Sequence, residues 1–78
     1  MNILLTFKNT HLAIKCSKTL NQFNSEMIPT PREISSECGF SILVNNINSL
    51  NFFKDTIEYD TIYNIIIKGG EKKYEKIY

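Results

Sequence analysis

The sequence predicts an α+β domain: a ferredoxin-like βαββαβ antiparallel sheet with two helices on one face and an added C-terminal strand that forms a hairpin. Three segments, 2–7, 40–45 and 61–68, alternate their side chains with the period of two that is typical of strands. Apolar residues at steps of three and four mark a helix after each of the first two. With right-handed crossovers, the economical strand order is 4-1-3-2, with the extra strand beside the fourth.

Length and composition bound the class of protein. The chain has 78 residues, which is one domain, and we treat residues 68–78 as its C-terminal extension. A hydrophobic content of 42% and a net charge of +1 give no case for disorder, a membrane partner or a nucleic acid. No secretory signal is evident, so we expect a cytoplasmic protein with free thiols. The spacing of its two cysteines and single histidine matches no metal site, and we expect no cofactor.

The first half is predicted to form a strand, a helix and an edge strand. Segment 2–7 is apolar on both sides, which suits a central strand. Thr10 is the expected N-cap of the helix that follows, and Asn24-Ser25 is expected to end it before a Pro-limited edge strand over 26–29. The buried stripe of this helix should carry Ala13, Cys16, Leu20 and Phe23.

Segment 29–39 is the one densely polar, turn-forming stretch between the two apolar halves. Thr30 as cap, Pro31 at the first helical position and Glu33 completing a capping box predict a helix of one or two turns that ends before Gly39. Cys38 is the one plausible chemical group of this stretch, in an exposed position. Arg32 would favour its thiolate by charge, whereas Glu37 and the negative end of a helix dipole would oppose it.

The second half predicts a strand over 40–45, a helix marked by Leu50, Phe53 and Ile57, and a strand over 61–68. Gly69-Gly70 then indicates a hairpin into the Lys-rich end, which reads either as a strand or as a frayed tail. In this arrangement an apolar patch should lie on the sheet face without helices, and we expect a second copy of the chain to cover it. Its predicted members are Leu4, Leu43, Ile62 and Ile66.

Three stretches resemble a known family. They are LLTFKNTH at 4–11, IPTPREISSECG at 28–39 and IEYDTIY at 57–63, and they are similar to the sulfur/selenium (Se/S) carrier-like proteins, small bacterial domains. The resemblance implies a compact βαββαβ unit in which Cys38 is the chalcogen-carrying thiol. The chain departs from the family pattern in having Glu37 where a small residue is common, and in continuing over 67–78 past the usual end.

Two functional hypotheses follow. In the first, the protein is a carrier and not a turnover enzyme: Cys38 holds a persulfide or selenide, Arg32 steadies the anion, and donor and acceptor proteins are the partners. In the second, it is a small interaction or regulatory module that dimerises through its sheet and binds a ligand or partner at residues 30–38 without covalent chemistry. The candidate binding residues are Thr30, Pro31, Glu33, Ser35, Ser36 and Gly39.

Overall fold

The computed structural model describes residues 1–36 and 39–78, and it has the predicted order of elements. Within these residues two α-helices and five strands follow one another as βαββαββ. Their bounds are β1 Ile3–Thr6, α1 Thr10–Thr19, β2 Asn24–Pro29, β3 Phe40–Asn45, α2 Asn51–Thr56, β4 Thr61–Lys68 and β5 Glu71–Lys76.

The five strands form one antiparallel sheet with the order β2-β3-β1-β4-β5. Read from the other edge, the order is 5-4-1-3-2. β1 is the central strand, with Leu4 directly opposite Leu43 on one side and Tyr63 on the other. The sheet therefore brings together the ends of strands that are far apart in the sequence.

Both helices pack on the same face of the sheet. Cys16 of α1 and Phe53 of α2 belong to one core cluster with Ile3, Leu5 and other residues of the central strands. The rings of Phe23, Phe52 and Phe53 meet within this core, with centroids 5.1 to 5.5 Å apart. Cys16 is 6% exposed, which confirms the prediction that it is a core residue.

The predicted cap of α1 is wrong by one residue. Asn9, not Thr10, is the N-cap: its backbone is extended and its Oδ1 accepts a hydrogen bond from the Leu12 N–H at 2.9 Å. Asparagine and threonine both serve at this position, and asparagine ranks slightly higher. The other end also differs, because a 3₁₀ turn over Leu20–Gln22 leads directly into β2, which begins at Asn24 rather than at residue 26.

The short helix predicted after Thr30 is absent from the described part of segment 30–39. The chain instead makes one turn over residues 32–34, in which the Pro31 carbonyl accepts from the N–H groups of Ile34 and Ser35 at 3.0 and 3.1 Å. The predicted capping box fails because the Thr30 hydroxyl is bonded elsewhere, to the Ser41 hydroxyl at 2.7 Å. A contact across the β2–β3 hairpin has replaced a local helix cap.

The predicted apolar patch on the helix-free face is wrong in two of its four members. Residues directly opposite in an antiparallel pair share a face, and Ile62 lies opposite Leu5, which puts it in the core on the helix side. Side chains alternate between the two faces along a strand, so Ile66 lies on the same face as Ile62. Leu4 does lie on the helix-free face, but it is fully buried within the single chain. Self-association through this face stays a prediction.

The C-terminal segment is a strand and not a tail. Gly69 and Gly70 adopt φ values of 60° and 80°, the left-handed conformation that a two-residue hairpin turn requires, and Lys68 pairs with Glu71 across it. Pairing continues past β5, because the Ile77 N–H donates to the Ile62 carbonyl at 2.8 Å. Ile77 then packs against the core, so this segment contributes to the stability of the domain.

Candidate functional site

A cleft of about 370 Å³ opens where three connections of the sheet meet. Its walls come from the end of β1 and the start of α1, from segment 30–40, and from the start of β4. This volume is at the lower end of the range for small-molecule sites, about 300–1,000 Å³. The described lining residues are Thr6, Phe7, Lys8, Asn9, Thr10, Thr30, Ile34, Ser35, Gly39, Phe40, Asp60, Thr61 and Tyr63.

Thr6 joins two of these walls. Its carbonyl accepts from the Asp60 N–H at 2.7 Å, and its hydroxyl donates to the Thr61 carbonyl at 3.3 Å. Thr6 is also paired with Thr61 in the sheet. The end of β1 and the connection before β4 are therefore fixed relative to each other.

Thr30 fixes the third wall. Its N–H donates to the Gly39 carbonyl at 2.9 Å, which closes the neck of segment 30–39. Its hydroxyl contacts that of Ser41, which is 0% exposed. A Cβ added at Gly39 would lie 3.8 Å from Thr30 Oγ1, so the two residues are in close contact at the neck.

Segment 30–36 lies across the helix-free face of the sheet. Ile34 and Tyr63 line both the cleft and a second, wider groove that extends to the β4–β5 hairpin. At its far end, burial and the nearby carboxylate of Glu33 raise the pKa of the Tyr74 hydroxyl. The polar stretch that the sequence singled out is thus placed against β4 and β5, far beyond its own hairpin.

The predicted site residues that the structure describes fall into three groups. Thr30, Ser35 and Gly39 line the cleft, whereas Glu33 lines the second groove. Pro31, Arg32 and Ser36 line neither cavity; Arg32 and Ser36 are exposed, and Pro31 provides the carbonyl for the turn. No ion pair among residues 1–36 and 39–78 involves Arg32.

The predicted carrier thiol, Cys38, lies outside the described residues, as does Glu37. Its neighbour in the sequence, Gly39, lines the cleft. Cys16, the other thiol, is in the core on the helix side and takes no part in the cleft. Among the described residues no group of His, Cys, Asp and Glu could hold a metal ion.

A comparison with known protein families shows which family this chain belongs to. Residues 2–78 match the family described as "Putative Se/S carrier protein-like". The chain belongs to this family. The matched region of this Se/S carrier-like domain includes residues 68–78, which sequence analysis treated as an extension. No curated protein and no solved structure matches the chain.

Sequence reasoning missed the part of the cleft that lies outside segment 29–39. Thr6, Lys8 and Asp60 line it, yet none was a candidate site residue. The available signal was the resemblance itself, since stretches 4–11, 28–39 and 57–63 supply all but one of the described lining residues, the exception being Phe40.

In the described part of the chain, no helix has the length and apolarity needed to cross a bilayer.

Proposed function

We propose that this Se/S carrier-like domain carries sulfur or selenium on Cys38 and that the cleft is where the carried atom is received. The supporting observation is that separate parts of the sequence meet at this cleft. Three stretches that are far apart in the sequence, and that carry the family resemblance, line one cleft, and one of its lining residues, Gly39, directly follows Cys38.

The transfer step needs no oxidant or reductant. The Cys38 thiolate attacks the outer sulfur of a donor persulfide, R–S–SH, and a new S–S bond forms as the donor's S–S bond breaks. The donor leaves as the thiolate R–S⁻, and the proton stays on the outer sulfur, now part of Cys38–S–SH. A donor of the form R–S–SeH reacts in the same way and leaves Cys38–S–SeH. Delivery to an acceptor thiolate is the reverse of this step.

The rest of the cleft fits this task better than it fits a catalytic one. Thr30 and Thr61 are among its lining residues, and a threonine hydroxyl can hydrogen-bond an anionic chalcogen without titrating near neutral pH. Arg32 is exposed at the turn, within the same segment as Cys38. We propose that it attracts the donor by charge from outside the cleft and does not steady the anion inside it.

The fold supports the same proposal. We assign the sheet to the ferredoxin-like class, since the four strands before the hairpin have the order 4-1-3-2 when read from the β5 edge. Segment 30–39 is then the β2–β3 connection, and its described residues Arg32, Glu33 and Ser36 are exposed. A loop held by a rigid sheet presents a reactive group to partners without being buried by the core.

Mass spectrometry of the intact protein tests the carrier. After incubation with a cysteine desulfurase and cysteine, the wild type should gain sulfur, and the gain should be lost on treatment with a reductant. Cys38→Ser should gain none, whereas Cys16→Ala should gain as much as the wild type. Circular dichroism checks that both variants are folded. An equal gain on Cys38→Ser, or no gain on the wild type, would contradict the proposal.

A further inference from the structure

The cleft contains one cationic and one anionic side chain among its described lining residues, Lys8 and Asp60. Both are exposed. The ion pair in the described part of the chain is elsewhere, between Lys73 and Glu71 on β5. Each charge of the cleft is therefore available to a ligand, and together they favour one that carries both a negative and a positive group.

The Thr30 hydroxyl adds a hydrogen-bond donor. In the contact between Thr30 and Ser41 either hydroxyl could donate, but Ser41 is fully buried. Among the described hydrogen bonds, the Thr30 Oγ1 is the one acceptor for the Ser41 proton. A buried hydroxyl without an acceptor is unfavourable, so Ser41 donates. The Thr30 proton is then not used by Ser41, and Thr30 lines the cleft.

We propose that the cleft binds a free α-amino acid with a sulfur or selenium side chain, of which L-cysteine is the simplest. Its carboxylate contacts Lys8 and the Thr30 hydroxyl, its ammonium group contacts Asp60, and its side chain lies toward Gly39. The choice of sulfur or selenium rests on the proposed carrier function. The binding of the amino-acid head group rests on the cleft alone.

The two charges also reject other small ligands. A phosphate or a dicarboxylate would place negative charge near Asp60, and a diamine would place positive charge near Lys8; like charges brought together in a cleft disfavour binding. A zwitterion satisfies both side chains at once. The cleft volume of about 370 Å³ leaves room for water around a ligand of this size.

Calorimetric titration of the reduced protein with L-cysteine tests the inference, with L-serine and propionate as comparison probes. The wild type should bind cysteine with a Kd on the order of 1 mM. Lys8→Met and Asp60→Asn should each weaken binding by about tenfold or more, which is the scale of one lost charged contact. Lys15→Met and Asp55→Asn are matched controls, because both residues are exposed on helices and away from the cleft.

Four results would overturn the inference. They are an absence of heat at all cysteine concentrations, an equal loss in the control variants, propionate binding as tightly as cysteine, and serine binding as tightly as cysteine, which would remove the sulfur preference. Cys38→Ser should bind serine as the wild type does. If the protein gains sulfur from a desulfurase but binds no amino acid, the carrier proposal stands and the present inference fails. If it binds cysteine but gains no sulfur, the carrier proposal fails and the present inference stands.

Discussion

Replacing Thr30 with valine should destabilise the domain more than removing its partner hydroxyl does. Thr30→Val keeps the size of the side chain and the Thr30 N–H bond to Gly39. It leaves the Ser41 hydroxyl, which is 0% exposed, without its contact. Ser41→Ala removes the buried group itself and leaves the half-buried Thr30 hydroxyl at the cleft, where water can reach it.

The two substitutions should lower the free energy of unfolding by different amounts. An unsatisfied buried hydroxyl costs about 1–3 kcal/mol, so Thr30→Val should lower the free energy of unfolding by about 2 kcal/mol. In a domain of this size that lowers Tm by roughly 8–16 °C. Ser41→Ala loses one net hydrogen bond, about 0.5–1.5 kcal/mol. The double variant has no orphaned group, so it should be close to Ser41→Ala and more stable than the sum of the two changes predicts.

Urea denaturation followed by circular dichroism measures all three variants, with equal m-values as the check that the unfolding transition is unchanged. The reasoning is refuted if Ser41→Ala costs as much as Thr30→Val, or if the double variant shows the simple sum. Either result would mean that the Ser41 hydroxyl is not isolated from water when Thr30 is replaced.

Three further outcomes are expected. In Cys38→Ser the remaining thiol, Cys16, should resist alkylation until the protein unfolds, because it is 6% exposed in the core. Glu33→Gln should lower the pKa of Tyr74 but leave it raised, since burial is the larger cause of the shift and the Glu33 charge the smaller; NMR of labelled tyrosine rings follows this. Because the raised pKa favours the neutral phenol in the folded state, Tyr74 should reduce stability only as pH rises above about 10. Ile77→Ala should destabilise the domain by about 2–4 kcal/mol in urea, since Ile77 packs against the core.

Each of these has its own control. Alkylation at the rate of an exposed thiol in native Cys38→Ser would place Cys16 outside the core. For Tyr74 the control is Glu71→Gln, which removes another carboxylate of the same groove; an equal drop in pKa would show that Glu33 has no special position. For Ile77 the control is Lys76→Ala at the exposed neighbouring position, and an equal loss of stability would argue against the packing of Ile77.

The order of elements was predictable because periodicity and turn chemistry are local. Segment 61–68 and Gly69-Gly70 predicted β4 and its hairpin with the observed bounds. The phase of β4 was not predictable, because residues 62 and 65–67 are apolar on both sides of the strand, and only its register against Leu5 decides that Ile62 faces the helices. A local pattern cannot select a face when both faces are apolar.

The site was predictable only in part, for a related reason. Thr30 has the sequence context of a helix cap, but its hydroxyl is paired with Ser41, eleven residues away across a hairpin. No local pattern marks Lys8 or Asp60 as a site residue. They line the same cleft because β1 pairs with β4. Contacts of this kind depend on the assembled sheet, which a pattern of nearby residues does not contain.

The way segment 30–36 crosses the helix-free face limits how a partner can reach this domain. Leu4 is fully buried on that face, beside Tyr63, which itself adjoins Ile34 of the segment. A partner that must lift the segment would take Ile34 away from Tyr63 and lose the cleft that both residues line. Any apolar surface that this movement exposes lowers the affinity of such a partner relative to one that accepts the segment in place. The position of segment 30–36 therefore favours a partner that approaches this face without displacing the segment.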